Sequence, residues 1–253
     1  LWRDRDGEIR YYVQNEAQFV GLVSDSNGAY YYIDETKKAV RGESRRVDRF
    51  RANRLLPVGT WSFGEDGAMT NAPTLLAGDD MLNGLIRLAN GTVQYLQNGE
   101  PTFAGLVRSD AGDYYFIGPS KRALSNITYT FPTKYTNGLL PAGTYTFDST
   151  GKIAQLPELL AGDDYRNGLV RMPDGKVQYF RNGQPAFAGL LKSNAGDYYF
   201  IDPTGQAVRN REYAFSAQYA NGLLPAGTYI FDSTGKIAQL PELLGGESLV
   251  NGL

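Results

Sequence analysis

The stretch from Gly196 to Val208 reads GDYYFIDPTGQAV, and it decides the fold. Tyr198, Tyr199, Phe200 and Ile201 are aromatic and β-branched residues suited to a pleated, half-buried strand. Asp202-Pro203-Thr204-Gly205 follows as a turn, where Pro presets φ and Gly tolerates the positive φ that closes a hairpin. A short return strand is expected from Gln206. The same stretch recurs at Gly112 as GDYYFIGPSKRAL and more loosely at Gly28 as GAYYYIDETKKAV.

Outside these hairpins the chain also repeats itself. Asn-Gly-Leu starts at Asn83, Asn167 and Asn251, a spacing of 84 residues. With Leu1 set opposite Leu85 and Leu169, three copies align without a gap. Phe19 meets Phe103 and Phe187, Pro57 meets Pro141 and Pro225, and Phe63 meets Phe147 and Phe231. Self-similarity at a fixed period marks an array whose units stack on their neighbours. The expected repeats are residues 1–84, 85–168 and 169–253, part of a longer array, since the chain begins at Leu1 without Met.

In the third copy the first hairpin is KVQYF, the turn Arg181-Asn182-Gly183, then QPAFAGLL. Asn-Gly between apolar strands is a strong short-range hairpin signal. The second hairpin is the stretch at Gly196. The third is GTYIFDSTGKIA, Gly227 to Ala238, turning at Asp232-Ser233-Thr234-Gly235. Alternation at Tyr213, Phe215 and Tyr219 suggests one more strand before it. The following QLPELLGGESLVNG reads as an apolar loop or short helical turn. Period-2 runs ended by Gly, Asn, Asp or Pro fill the chain, and no sustained 3.6-residue apolar stripe occurs. The expected fold is all-β, an elongated β-hairpin solenoid of three 84-residue repeats, with three compact all-β modules in a row as the alternative.

Composition narrows the chemistry. Histidine and cysteine are both absent, which removes Ser-His-Asp and Cys-His catalysis, zinc–thiolate sites and disulfides. Net charge is −2, from 25 basic and 27 acidic residues, so no global field recruits nucleic acid or an acidic membrane. No apolar run approaches bilayer length. The 18 tyrosines against 2 tryptophans suit surfaces that are apolar yet carry hydroxyls.

The pattern Gly189-Leu190, then Tyr198-Tyr199-Phe200, then Gly205 and Ala207 resembles the cell-wall-binding repeat superfamily. That superfamily includes choline-binding repeats, glucan-binding repeats and the C-terminal repeats of clostridial toxins. The resemblance implies a hairpin solenoid in a secreted or surface-held Gram-positive protein, binding cell-wall polymers, glucans or host glycans beside a catalytic or toxin domain. Choline-binding repeats usually carry Trp after the leading Gly and before the Tyr pair. Here Leu22, Leu106 and Leu190 fill the first place, and Ala29, Asp113 and Asp197 the second. A quaternary ammonium needs a cage of ring faces, so these departures point toward glucan-type or other surface repeats.

A sugar's C–H face can lie on an aromatic ring while its hydroxyls reach polar groups. Alternation along Tyr198–Ile201 sets Tyr199 and Ile201 on one face, read as core, and Tyr198 and Phe200 on the other. Tyr30, Tyr114 and Tyr198 are therefore the first carbohydrate-binding candidates, and Trp61, Tyr145 and Tyr229, at one shared register, are the second. Core burial is the competing fate of each ring. The turns at Asp148 and Asp232 offer oxygens to calcium, but they lack the alternating carboxylates of a calcium loop and fit ordinary turn chemistry. The pairs Asp79-Asp80 and Asp163-Asp164 read as solvated loops. Six arginines from Arg41 to Arg54 could meet phosphate-bearing polymers such as teichoic acids. The interleaved Glu43 and Asp48 favour a solvated capping edge instead.

The sequence thus supports a non-catalytic, cofactor-free module that attaches a larger extracellular, cell-surface or cell-wall protein to polysaccharide or cell-wall glycan. Linked weak sites would gain avidity by about 10²–10⁴. The alternative is a structural spacer or protein-docking stalk, with every tyrosine in the core.

Overall fold

The computed structural model describes residues 1–242. Most of the expected loop QLPELLGGESLVNG, from residue 243 on, and the Asn-Gly-Leu that starts at Asn251 lie outside the described residues. Among the described residues, apart from two single-turn 3₁₀ segments, Thr133–Tyr135 and Ala217–Tyr219, every regular element is a β-strand. The strands form open sheets of two to four members, and none closes into a barrel. The chain divides into two compact units, one of Leu1–Ser125 with Ser149–Lys152, the other of Asn126–Asp148 and the chain from Ile153 on.

The stretch at Gly196 folds much as its residues dictate. Tyr198–Ile201 is a strand, Asp202 Oδ1 accepts the Thr204 amide at 2.8 Å, and Gly205 takes φ +81°. The expected return strand shrinks to two isolated bridges, Ala207 to Ile201 within the hairpin and Gln206 to Gln178 of the preceding one. The main ladder runs backward instead, to Gly189–Lys192, with Gly189 opposite Ile201 and Lys192 opposite Tyr198. Gly227–Phe231 behaves likewise: it pairs back to Arg211–Phe215 and bridges forward only from Phe231 to Ile237. The strand expected around Tyr213 and Phe215 is therefore the true partner of the third hairpin.

The Asn-Gly turn forms with Asn182 at φ +53° and Gly183 at φ +75°, the pair of positive values that matches strand twist in a two-residue loop. QPAFAGLL does not continue as one strand. Gln184–Pro185 finishes one sheet and Gly189–Lys192 begins the next hairpin, leaving Phe187 between them. The segments preceding Asn83 and Asn167, counterparts of the expected loop or helical turn, are strands Thr74–Asp80 and Glu158–Asp164. Register shifts break both, between Leu75 and Ala77 and between Gly78 and Asp80 in the first. Gly162 sits at φ +105° in such a bulge, where a Cβ would lie 2.5 Å from the Asn167 carbonyl oxygen. The expected solvated loops at Asp79-Asp80 and Asp163-Asp164 are corrected accordingly: both pairs are exposed but end strands. Asp80 ends its strand and accepts the Leu82 and Asn83 amides at 2.8 Å, which holds its carboxyl below the usual carboxylate range.

Within each unit, backbone hydrogen bonds stack hairpins on the ones before them. In the first unit the Ala39 amide donates to Ile9, Met69 to Tyr30 and Ala123 to Val93, each at 2.8 Å. In the second, Ala207 donates to Val177 at 2.8 Å and Ile237 to Tyr198 at 2.9 Å. The Tyr198–Ile201 strand buries residues of both faces, whereas the Arg211–Phe215/Gly227–Phe231 pair leaves Glu212, Ala214, Thr228 and Ile230 exposed on one face. Tyr199 and Ile201 pack with Leu169 and Val177 on one side. Phe200 packs with Leu190, Phe215 and Phe231 on the other. The Tyr198/Phe200 face is therefore core as well, because the following hairpin covers it. Each fully buried ring contributes about 1.5–3 kcal/mol of transfer free energy, set against the entropy of ordering the chain.

Candidate functional site

Burial separates the expected ring platforms. Tyr145 is 1% exposed and Trp61 5%, so neither ring presents a face to solvent. Tyr145 stacks on Phe131 at 5.0 Å and its hydroxyl donates to the Pro141 carbonyl at 2.9 Å. Tyr229 stacks on Phe215 in the same way but remains half-buried. Tyr30, Tyr114 and Tyr198 are also half-buried. The chain's own cations lie over two of them, Arg108 at 5.7 Å from the Tyr114 centroid and Lys192 at 5.3 Å from that of Tyr198.

At the position before the Tyr pair, copies two and three hold an ion pair, whereas copy one has Ala29. Asp113 meets Lys152 Nζ at 2.7 Å, and Asp197 meets Lys236 Nζ at 2.7 Å. The Asp197 hydrogen bond holds the Lys236 ammonium above its ordinary range. At the Asp232 turn, Oδ1 accepts the Thr234 amide and hydroxyl and the Lys236 amide, as in an ordinary turn.

An aromatic corner that the sequence reading did not single out stands beside these residues. Phe187 is 37% exposed and Tyr219 40%, with ring centroids 5.3 Å apart at 83°. Phe187 also meets buried Phe200 edge-on at 6.4 Å. The corner is held from both sides. Tyr219 closes the Ala217–Tyr219 turn, and two residues on, Asn221 Nδ2 donates to the Ala188 and Leu190 carbonyls at 2.7 and 2.8 Å. Gly189, at φ +71°, lets the Tyr219 carbonyl come within 2.5 Å of where a Cβ would stand. The register recurs at Phe103, 38% exposed and 6.4 Å from Phe116 at 74°.

In copy one the corner is filled differently. Arg51 occupies the register of Tyr219, and its guanidinium lies 3.9 Å from the Phe19 centroid. Asn53 makes the same clamp to the Val20 and Leu22 carbonyls at 2.6 and 2.7 Å. The scaffold is shared while the Phe19 ring is capped from within. The signal that could have found the corner is the register Phe19, Phe103, Phe187, combined with the small residues around it.

No family model and no curated relative matches this sequence. Solved structures resemble it at low identity. The modular autolysin LytC from Streptococcus pneumoniae, in complex with a synthetic peptidoglycan ligand, is 12% identical over 86% of this chain and 38% of that one, with a TM-score of 0.34. The choline-binding domain of CbpL from Streptococcus pneumoniae is 14% identical over 89% of this chain and 100% of that one, with a TM-score of 0.34. Alternansucrase in complex with isomaltononaose is 17% identical over 92% of this chain and 16% of that one, with a TM-score of 0.29. The chain therefore spans well under half the length of the autolysin and of the alternansucrase, and is similar to choline-binding and alternansucrase structures.

Proposed function

We propose that this chain is a non-catalytic glycan-binding repeat module that holds a larger secreted or surface protein to polysaccharide. The observation that carries this reading is the Phe187–Tyr219 corner. Its rings are 37% and 40% exposed, whereas neighbouring strand aromatics such as Phe200 and Phe231 are sealed. An edge-to-face pair offers one ring face as a ledge for the C–H surface of a sugar and leaves a phenol hydroxyl at its rim. Phe103 supplies a second ledge at the equivalent register, and the exposed edges of Tyr30, Tyr114, Tyr198 and Tyr229 border the hairpins that carry them. Weak single contacts repeated along one chain suit a polymer better than a free sugar.

The test is affinity electrophoresis through gels containing dextran, mixed-linkage β-glucan or solubilised peptidoglycan, with Phe187→Ala and Tyr219→Ala as variants. Retardation lost in both variants supports the ledge. Retardation unchanged in both removes it. No retardation in any gel favours a spacer or protein-docking stalk, the reading to which the sealed rings of Trp61 and Tyr145 lend support.

A further inference from the structure

In the first unit, the loop carrying Arg49, Phe50 and Arg54 borders a cleft of about 570 Å³, with Leu82, Asn98 and Glu100 also lining it. Pro57, Val58, Gly99 and Glu100 line this cleft and also a second hollow of about 370 Å³, to which Asn71, Asn90 and Gln94 contribute. Together the two make a groove of ligand size that has carboxamides along its length, Arg49 and Arg54 at one end and Glu100 where the two hollows join.

The six arginines from Arg41 to Arg54 divide by what they touch. Arg41 donates to the Gly7 carbonyl and reaches Glu8 at 3.8 Å. Arg45 pairs with Glu43 at 3.0 Å and Asp34 at 3.7 Å, and Arg51 lies on Phe19. Arg46 is exposed on its strand. Arg49 and Arg54 are exposed, form no salt bridge with a described carboxylate, and both line the groove.

Arg54 is also in an unusual backbone state, φ +60°, directly after Asn53 at φ +50°. Copies two and three hold Gly138 at φ +70° and Gly222 at φ +68° in that place, the residue this region favours. They hold Thr133 and Ala217 where copy one has Arg49. A long cation kept where glycine is easier points to a use for its charge.

We propose that this groove binds a stretch of acidic polysaccharide. Its carboxylate or phosphate groups meet the Arg49 and Arg54 guanidinium forks. A sugar face lies on Phe50, whose ring is 88% exposed. Neighbouring hydroxyls reach Asn90 and Gln94. The inference rests on the glycan-binding reading above and adds to it the charge of the ligand at one site.

The test runs the whole chain and an Arg49→Thr/Arg54→Gly variant through gels containing polygalacturonate, phosphomannan or neutral dextran. The substitutions install residues that the other copies fold with, and a melting temperature no lower than that of the wild type checks that they do. The expected result is retardation in at least one acidic gel, weakening with added salt. Affinity falls about tenfold or more in the variant, the loss of one or two charge-assisted hydrogen bonds. Dextran retardation stays the same. Polygalacturonate against phosphomannan tells carboxylate from phosphate as the recognised group. Equal retardation of variant and wild type in the acidic gels overturns the proposal. So does retardation by dextran alone, which leaves the glycan-binding reading standing; retardation by none of the three overturns this proposal, and the β-glucan and peptidoglycan gels then decide the glycan-binding reading.

Discussion

Tyr145 donates its hydroxyl to the carbonyl oxygen of Pro141 at 2.9 Å inside the core, and 84 residues later Tyr229 makes the same 2.9 Å bond to Pro225 at the surface. In copy one the register belongs to Trp61, whose buried indole N–H meets no acceptor among the described residues. Tyr145→Phe strips the donor from a buried proline carbonyl, and the expected cost is about 1–3 kcal/mol. Tyr229→Phe costs less, because water reaches Pro225. Trp61→Phe breaks no hydrogen bond and loses only packed volume. Urea-unfolding midpoints of the three variants test the order: Tyr145→Phe lower than Tyr229→Phe. Equal midpoints for these two would mean that the buried bond has no special weight.

The same burial sets an alkaline limit. Burial pushes the Tyr145 phenol well above its ordinary 10.0, and it raises Tyr199, Tyr229 and Tyr32 as well. For a phenol raised in the folded state, the unfolded chain ionises first. Its stabilising contribution is complete below pH 10, the ordinary value, and is lost as pH climbs through the window up to the folded value. The unfolding midpoint should therefore hold steady at neutral pH and fall steeply above about pH 10. Tyr145→Phe should flatten part of that fall, and an unchanged slope in this variant would count against the buried phenol as its source. Asp80 acts at the other end. Its carboxyl is lowered by the Leu82 amide first and then by Asn83, so its contribution is present above 3.8 and lost as pH drops below it.

Two glycines with nearly the same backbone angle should respond differently to substitution. Gly175 has φ +80° and open space where a Cβ would go, so Gly175→Ala meets only left-handed strain, about 1–2 kcal/mol. Gly189 has φ +71°, and a Cβ there would sit 2.5 Å from the Tyr219 carbonyl oxygen. Gly189→Ala must also push away the backbone that carries the aromatic corner, for a total of about 2–5 kcal/mol. Thermal unfolding measures the difference. Glycan retardation should weaken in Gly189→Ala and stay intact in Gly175→Ala, and the opposite pattern would separate the corner from binding.

The strands and turns were legible because local chemistry marks them: the YYF runs, Asn182-Gly183, and the Asp202 to Gly205 turn. Which neighbour each strand pairs with was not. Tyr198–Ile201 has apolar partners on both sides in sequence, and pairing is decided by stacking on the preceding hairpin, a contact no local pattern encodes. Glu158–Asp164 was missed because its bulges break the alternation that identifies a strand. Phe187 was passed over as a binding residue because it lies between strands, flanked by alanines, where neither a period-2 nor a helical pattern marks it. Tyr145 and Tyr229 share a register, yet one is sealed and one half-buried. That difference comes from what the chain packs over each, which two identical positions in a repeat do not reveal.

Copy one offers a gain-of-binding test of the corner. Phe19 stands in the register of Phe187, and the Asn53 clamp reproduces the Asn221 clamp, so the scaffold for a ring pair already exists. What differs is Arg51, whose guanidinium covers the Phe19 ring at 3.9 Å, a contact worth about 0.5–2 kcal/mol. Arg51→Tyr puts a phenol where Tyr219 sits in copy three and uncovers the Phe19 face. The expected outcome is stronger retardation in neutral-glycan gels than wild type, by severalfold, since a further linked ledge adds avidity without changing the existing ones. Arg51→Ala uncovers Phe19 without supplying the second ring and should gain less. If Arg51→Tyr folds, as its melting temperature would report, and binds no better than Arg51→Ala, then the edge-to-face pair is not what holds the sugar, and a single exposed phenylalanine accounts for the site.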